Sequence, residues 1–327
     1  MKICIRADGG SFIGLGHIMR TLVIAKALKK KYDVFYVCRN SVDDPAKYEA
    51  GVDLVKSNGF DVIVIDETVF RTDICKINAD MIITDSYEVD EDYFRILKEY
   101  FPISGCFDDE NLCSYFDVDF LINQNPYANE LKYCVNKNTM LLLGTDYIAL
   151  REEFNIKSKK INRFINKIMI TVGGSDDDNI TERIIQNLLP LNKELFVIVG
   201  PAFKHDECLK KYKSSKISLC FNAKLSYYMK ICDIAISACG TTIFELASTG
   251  TPTVGIVVAE NQKNAANALD NLGIIKRSTI ENLNQKVDSL NYEKRKVMSG
   301  KALQLIDGKA VDRILNVLED MVKQKLD

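Results

Sequence analysis

The sequence predicts an α/β protein made of two doubly wound, Rossmann-like domains with an interdomain cleft. Three observations carry this prediction. Short, almost continuously apolar runs such as VFYVC, DVIVI and KIMITV recur along the whole chain, as expected of strands buried on both faces of a parallel sheet. Stretches of helical pattern separate these runs. The strand–helix series is also played out twice, on either side of a polar, lysine-rich segment at 155–166, in a chain of 327 residues that is long for one core. The expected domains are 1–155 and 156–327, the second carrying a helical tail.

In chain order, the first half offers strands at 2–6, 34–38, 61–65, 81–84, 103–106 and 120–122, with 140–143 as an edge strand. Helices are predicted at 21–30, where Leu22, Val23, Ala25 and Leu28 form an apolar side, and at 91–100. The second half offers strands at 167–172, 195–199, 217–219, 234–237 and 253–258. Helices at 181–188, 225–231, 241–248 and 261–272 separate them, and helical segments near 292–305 and 311–325 make the tail.

The composition bounds the function. Hydrophobic residues make up 47% and charged residues 27%, with a net charge of −2 and no basic face or tail. Nucleic acid is therefore not an expected partner, although loops and helix ends can still take an anionic small ligand. The ten cysteines never form a C-x-x-C pair and several sit in or beside apolar runs. They read as small core residues of a reducing cytoplasm, so neither a metal nor a cofactor is expected. No apolar run reaches membrane-spanning length, and the N-terminal run reads as a strand rather than a signal peptide. Composition leaves the oligomeric state open.

The most informative stretch is RADGGSFIGLGHIMR at 6–20, with one of only two histidines. A strand precedes it and a helix follows. Gly14 and Gly16 supply a turn, and His17 and Arg20 arrive where free N–H groups and the positive helix end gather. His17 could simply cap the helix or fill a core position. Alternatively it is a reactive imidazole, kept neutral by the helix end and able to take a proton. The loop has neither a Walker A lysine nor the third glycine of the dinucleotide fingerprint.

Other polar groups fall at strand ends, the edge where open α/β sheets bind ligands. Asp85, Ser86 and Tyr87 follow one strand, and Asn261 and Gln262 follow another. Gly173, Gly174 and Ser175 suit either a tight turn or close approach of backbone to a ligand. In SACGTTIFE, Gly240, Thr241 and Thr242 open a helix and Glu245 lies one turn in. That pattern fits an ordinary capped helix, or a diphosphate site with a carboxylate for ribose hydroxyls.

Taken together, the pieces resemble the PseG family of UDP-sugar hydrolases and its spore-coat polysaccharide relatives, in the GT-B superfamily that includes MurG. They are the 6–20 stretch, DSY, FDDE at 107–110, INQNPYA at 122–128, ALREEF at 149–154, TVGGSDDDN, ISACGTTIFELASTGTP and ENQ at 260–262, spread over nearly the whole chain in family order. The resemblance implies a GT-B fold and hydrolysis of UDP-2,4-diacetamido-2,4,6-trideoxy-β-L-altropyranose at its anomeric carbon. UDP and free sugar are released with inversion, without a metal. It places the catalytic base on His17 and sugar contacts on Tyr87 and Asn261. Glu245 falls at the ribose, and Gly240, Thr241 and Thr242 at the diphosphate. A GT-B glycosyltransferase with a UDP-sugar donor, or a non-catalytic nucleotide-sugar-binding protein, would use the same donor site. Free sugar released without an acceptor separates them.

Overall fold

The structure is a computed structural model that describes residues 1–10, 13–155, 158–201, 203–204 and 206–326. Ser11 and Phe12 of the first loop, Ile156 and Lys157 of the polar segment and His205, the second histidine, lie outside the described residues. The chain divides into two compact units. One comprises Met1–Ala149 with Lys309–Asp327, and the other Leu150–Gly308.

The first unit runs β1 Lys2–Ala7, α1 Gly16–Leu28, β2 Asp33–Asn40, α2 Glu49–Ser57, β3 Val62–Asp66, α3 Phe70–Asp73, β4 Met81–Asp85, α4 Glu91–Tyr100, β5 Ile103–Phe107, β6 Phe120–Asn123 and β7 Met140–Leu143. Its seven strands are all parallel, in the order β3-β2-β1-β4-β5-β6-β7. Alternate residues of β1 serve opposite layers. Ile3, Ile5 and Ala7 join one core with Ile18, Leu22 and Ala25 of α1, and Cys4 joins another with Phe94 and Leu97 of α4. Both faces are buried, which is why the strand reads as an unbroken apolar run. Helix α4 begins where Asp90 accepts a hydrogen bond from Tyr93 N–H, a cap worth about 1 kcal/mol.

The second unit runs β8 Lys167–Thr171, α5 Ile180–Leu188, β9 Glu194–Val199, α6 Asp206–Lys210, β10 Ile217–Phe221, α7 Leu225–Ile231, β11 Ile234–Ala238, α8 Thr242–Ser248, β12 Thr253–Ile256, α9 Lys263–Asn271, β13 Ile275–Ser278, α10 Leu283–Ser289 and α11 Tyr292–Leu305. Its six parallel strands follow the order β10-β9-β8-β11-β12-β13. Each sheet is a doubly wound array whose strand order reverses once, between β1 and β4 in the first and between β8 and β11 in the second. Seven of the ten cysteines are buried. Burial pushes the thiols of Cys38, Cys232 and Cys239 up to about 12. Among the described residues, no helix is long and apolar enough to cross a membrane.

Several expectations need correction. Helix α1 starts at Gly16, not at residue 21. Backbone hydrogen bonds between Gly10 and Gly14 close the preceding loop, and Leu15 C=O then accepts from Met19 N–H, so the helix includes His17 and Arg20. Five elements were not expected: α2, whose apolar positions are diluted by Gly51 and Asp53, the short α3 and α6, and β13 and α10, which lie in a stretch that carries no long apolar run. The predicted helix at 261–272 opens as a 3₁₀ turn, Glu260–Gln262, before α9. The last helix, α12 Ala310–Leu326, was expected with the second domain but packs in the first unit. Ile314, Leu318 and Met321 recur at helical spacing and enter the core beneath β1. Glu319 meets Lys31, and Lys325 reaches Asp119.

Candidate active site

Four strand ends of the first unit converge at the reversal of strand order. The loop after β1 leads into α1, whose residues 17 and 20 share a face. Asp85 is the last residue of β4, in register between Ala7 and Phe107. Gly9 and Gly10 of the loop after β1 lie against α2 and the turn before it. The Gly51 N–H donates to Gly9 C=O at 3.0 Å, and a Cβ at Gly10 would stand 1.8 Å from the Lys47 carbonyl oxygen. Gly14, at φ +73°, makes a turn that a side chain would strain, and Gly16 opens the helix.

His17 is buried, and its Nδ1 lies 2.6 Å from Asp85 Oδ1. Burial pushes the Asp85 carboxyl up, but Arg20 and His17 outweigh it and hold it well below the usual carboxylate range. Asp85 is therefore an ionised acceptor, and His17 Nδ1 must carry the shared hydrogen. In the neutral ring the remaining lone pair is then on Nε2. Arg20 completes the buried cluster. Its Nε and one terminal nitrogen donate to Asp85 at 2.5 and 2.6 Å, and its other terminal nitrogen donates to Asp109 at 2.8 and 3.0 Å. Asp109 also accepts from Tyr87 Oη at 2.9 Å and from Asn125 Nδ2 at 2.7 Å. The Tyr87 ring stands edge-on to His17, 4.6 Å between centroids and 80° between planes, and is 40% exposed.

The structure thus brings His17, Arg20, Asp85 and Tyr87 together, all named from the sequence, and adds Asp109 and Asn125. The signal for Asp109 and Asn125 was present in FDDE and INQNPYA, polar runs at the ends of β5 and β6. What it lacked was the strand order that sets β5 beside β4 and β6 beside β5.

In the second unit the corresponding edge carries two neighbouring turns. Gly173, at φ +112°, and Gly174 follow β8. They press on Gly200, where a Cβ would meet both their carbonyl oxygens at 2.5 Å. Ser175 is half-buried, and Asp176 caps α5 by accepting from the Ile180 and Thr181 N–H groups at 2.7 and 2.8 Å. Gly240 and Thr241 follow β11, and Thr242 opens α8. Gln262 approaches this turn, with Nε2 3.8 Å from where a Cβ on Gly240 would be, while its Oε1 accepts from Val258 N–H. Asn261 is exposed. Glu245 is bonded to Arg151, Nη2 to Oε1 at 3.1 Å, a residue the sequence reading passed over.

The fold is of the GT-B type, two parallel-sheet Rossmann-like domains. Solved structures share the fold. The S. aureus MnaA–UDP co-structure superposes with a TM-score of 0.67 over 100% of this chain and 98% of that one, at 14% identity. Residues 167–314 match the glycosyltransferase family 28 C-terminal domain. The chain is a relative of proteins named for the PseG and spore-coat activities. It is 29% identical over 217 residues to a Helicobacter pylori protein named pseudaminic acid cytidylyltransferase and UDP-2,4-diacetamido-2,4,6-trideoxy-beta-L-altropyranose hydrolase, covering 66% of this chain and 41% of that one. It is 22% identical to the Bacillus subtilis spore coat polysaccharide biosynthesis protein SpsG over the whole of both chains. An uncharacterized protein of Methanocaldococcus jannaschii is 30% identical over 282 residues, 80% of this chain and 57% of that one. The chain therefore spans about half the length of the Methanocaldococcus and Helicobacter relatives.

Proposed function

We propose that the protein hydrolyses a UDP-linked 2,4-diacetamido-2,4,6-trideoxy sugar at its anomeric C–O bond, in the biosynthesis of pseudaminic acid or a related surface glycan. The observation that carries this reading is the buried His17–Asp85 pair at the strand-order reversal, with Nδ1 bonded and Nε2 left as the base. The names of the relatives support the substrate class. In this reading His17 Nε2 takes a proton from water as the water oxygen attacks C1. The C1–O bond breaks and its electron pair leaves with UDP. Asp85 steadies the imidazolium that forms.

The second unit takes UDP. The turn at 240–242 meets the diphosphate, Glu245 the ribose hydroxyls, and Gly173, Gly174 and Ser175 line the same sheet edge. Tyr87, Asn261 and Gln262 contact the sugar side. UDP is a good leaving group, so neither a general acid nor a metal is needed, and a single displacement from the opposite face inverts the anomer.

The match of 167–314 to a glycosyltransferase domain supports a second reading, in which an acceptor hydroxyl replaces water. The deciding experiment incubates the protein with a panel of UDP-sugars in ¹⁸O-water without acceptor. Label in the free sugar supports hydrolysis at C1, and label in UDP means attack at phosphorus. No UDP release until an acceptor is added would establish the transferase.

A further inference from the structure

Arg151 is held on three sides. Its Nη1 donates to Glu153 Oε1 at 2.8 Å, its Nη2 to Glu245 Oε1 at 3.1 Å, and its guanidinium stacks over the Phe154 ring, 4.6 Å from the centroid. Each support is itself fixed. Ser226 of α7 donates to Glu153 Oε2 at 2.9 Å, and Phe154 is fully buried with its C=O accepting from Ser248 of α8 at 3.1 Å. The Arg151 Nε is buried without a partner, so the fork is placed for the two carboxylates rather than for all its donors. Glu245 is mostly buried, and of its two carboxylate oxygens only Oε1 has a hydrogen-bond partner among the described residues. Burial pushes the Glu245 carboxyl up, and Arg151 opposes that. A carboxylate in such a place needs a fixed cation to stay an acceptor.

We propose that Arg151 is a positioning residue for the nucleotide: it fixes the Glu245 carboxylate through Oε1 so that Oε2 meets the ribose hydroxyls, and thereby sets the preference for ribose over deoxyribose. The proposal rests on the reading of Glu245 as the ribose partner. A planar fork restrains the carboxylate in a way that a lysine ammonium cannot.

The test is calorimetric titration of UDP and 2′,3′-dideoxy-UDP into the wild type, Arg151→Met, Glu245→Ala and the double variant. The wild type is expected to prefer UDP by about ten- to hundredfold. Arg151→Met is expected to lose about tenfold for UDP and under about twofold for the dideoxy nucleotide, with no further loss in the Glu245→Ala background. Equal losses for both nucleotides would overturn the proposal, because Arg151 would then serve the phosphates or the fold. A preference for UDP unchanged by Arg151→Met would overturn it too, while leaving the ribose reading of Glu245 intact. A wild type that does not distinguish the two nucleotides defeats both. Should Arg151→Met not fold, Arg151→Lys carries the test: it keeps the charge without the fork, is expected to lose part of the preference, and overturns the proposal if it retains all of it.

Discussion

Replacing Asp85 with asparagine changes one atom and asks what the His17–Asp85 pair does. In the wild type both carboxylate oxygens are committed: Oδ1 accepts from His17 Nδ1 and Arg20 at 2.6 Å each, and Oδ2 accepts from Arg20 Nε at 2.5 Å. An amide offers one oxygen to these three donors. If that oxygen stays with Arg20, its NH₂ faces His17 Nδ1, which must then accept. The ring hydrogen moves to Nε2 and the base is lost. Loss of a general base costs about 10²–10⁴ in rate, or roughly 3–5 kcal/mol of barrier. Removing one partner of a buried ion pair costs about 3–5 kcal/mol of stability, and the low end applies because Arg20 keeps Asp109. The pH dependence has a definite sign. The folded-state carboxyl is held below its usual range, so its contribution is complete above about pH 4 and fades as pH falls through the lower folded value. The stability gap between wild type and Asp85→Asn should shrink below about pH 4. The assay pairs UDP release, normalised to folded protein by circular dichroism, with denaturant unfolding at several pH values. Near wild-type turnover in fully folded Asp85→Asn would refute the argument that Asp85 sets the tautomer.

His17→Ala should reduce turnover by about 10²–10⁴ while leaving UDP affinity nearly unchanged, as measured by calorimetry; near wild-type turnover would remove His17 from the mechanism. Glu245→Ala should weaken UDP binding about ten- to hundredfold and leave turnover at saturating substrate closer to normal. Chelator should not change the rate of UDP release, and activity restored by Mg²⁺ or Mn²⁺ would show that a cation supports the leaving group. Tyr87→Phe removes the hydroxyl that Asp109 holds; a loss in turnover larger than the change in substrate affinity is expected if the ring is positioned for His17.

Much of the fold was legible because buried parallel strands advertise themselves. KIMIT at 167–171 has Ile168 and Ile170 in one core and Met169 in the other, so no polar residue interrupts the run. The exposed edge elements left weaker signals. β13 has one buried residue, Ile275, among Lys276, Arg277 and Ser278, and nothing in those residues spells a strand until β12 lies beside them. The site was legible where the backbone forces a residue type, as at Gly14, and where a rare side chain meets a helix start, as at His17. Asp109 and Arg151 were not. Each owes its place to partners far away in sequence, Arg20 and Glu245 respectively, and neither an aspartate in an acidic run nor an arginine in a connecting segment names its partner locally.

The return of α12 to the first unit bears on how the chain is made. While the ribosome is still producing residues 150–308, the sheet formed by β1 to β7 lacks the helix that carries Ile314, Leu318 and Met321 into its core. At synthesis rates of about 5–20 residues per second, that gap lasts on the order of ten seconds. The second unit is continuous in sequence, so it can close within moments of emerging although it is made later. The order of completion is therefore the reverse of the order of synthesis. The half that bears His17 spends the interval with an open apolar face, in need of a chaperone or of a stable partial core, and its last step is a long-range docking of α12 against α1.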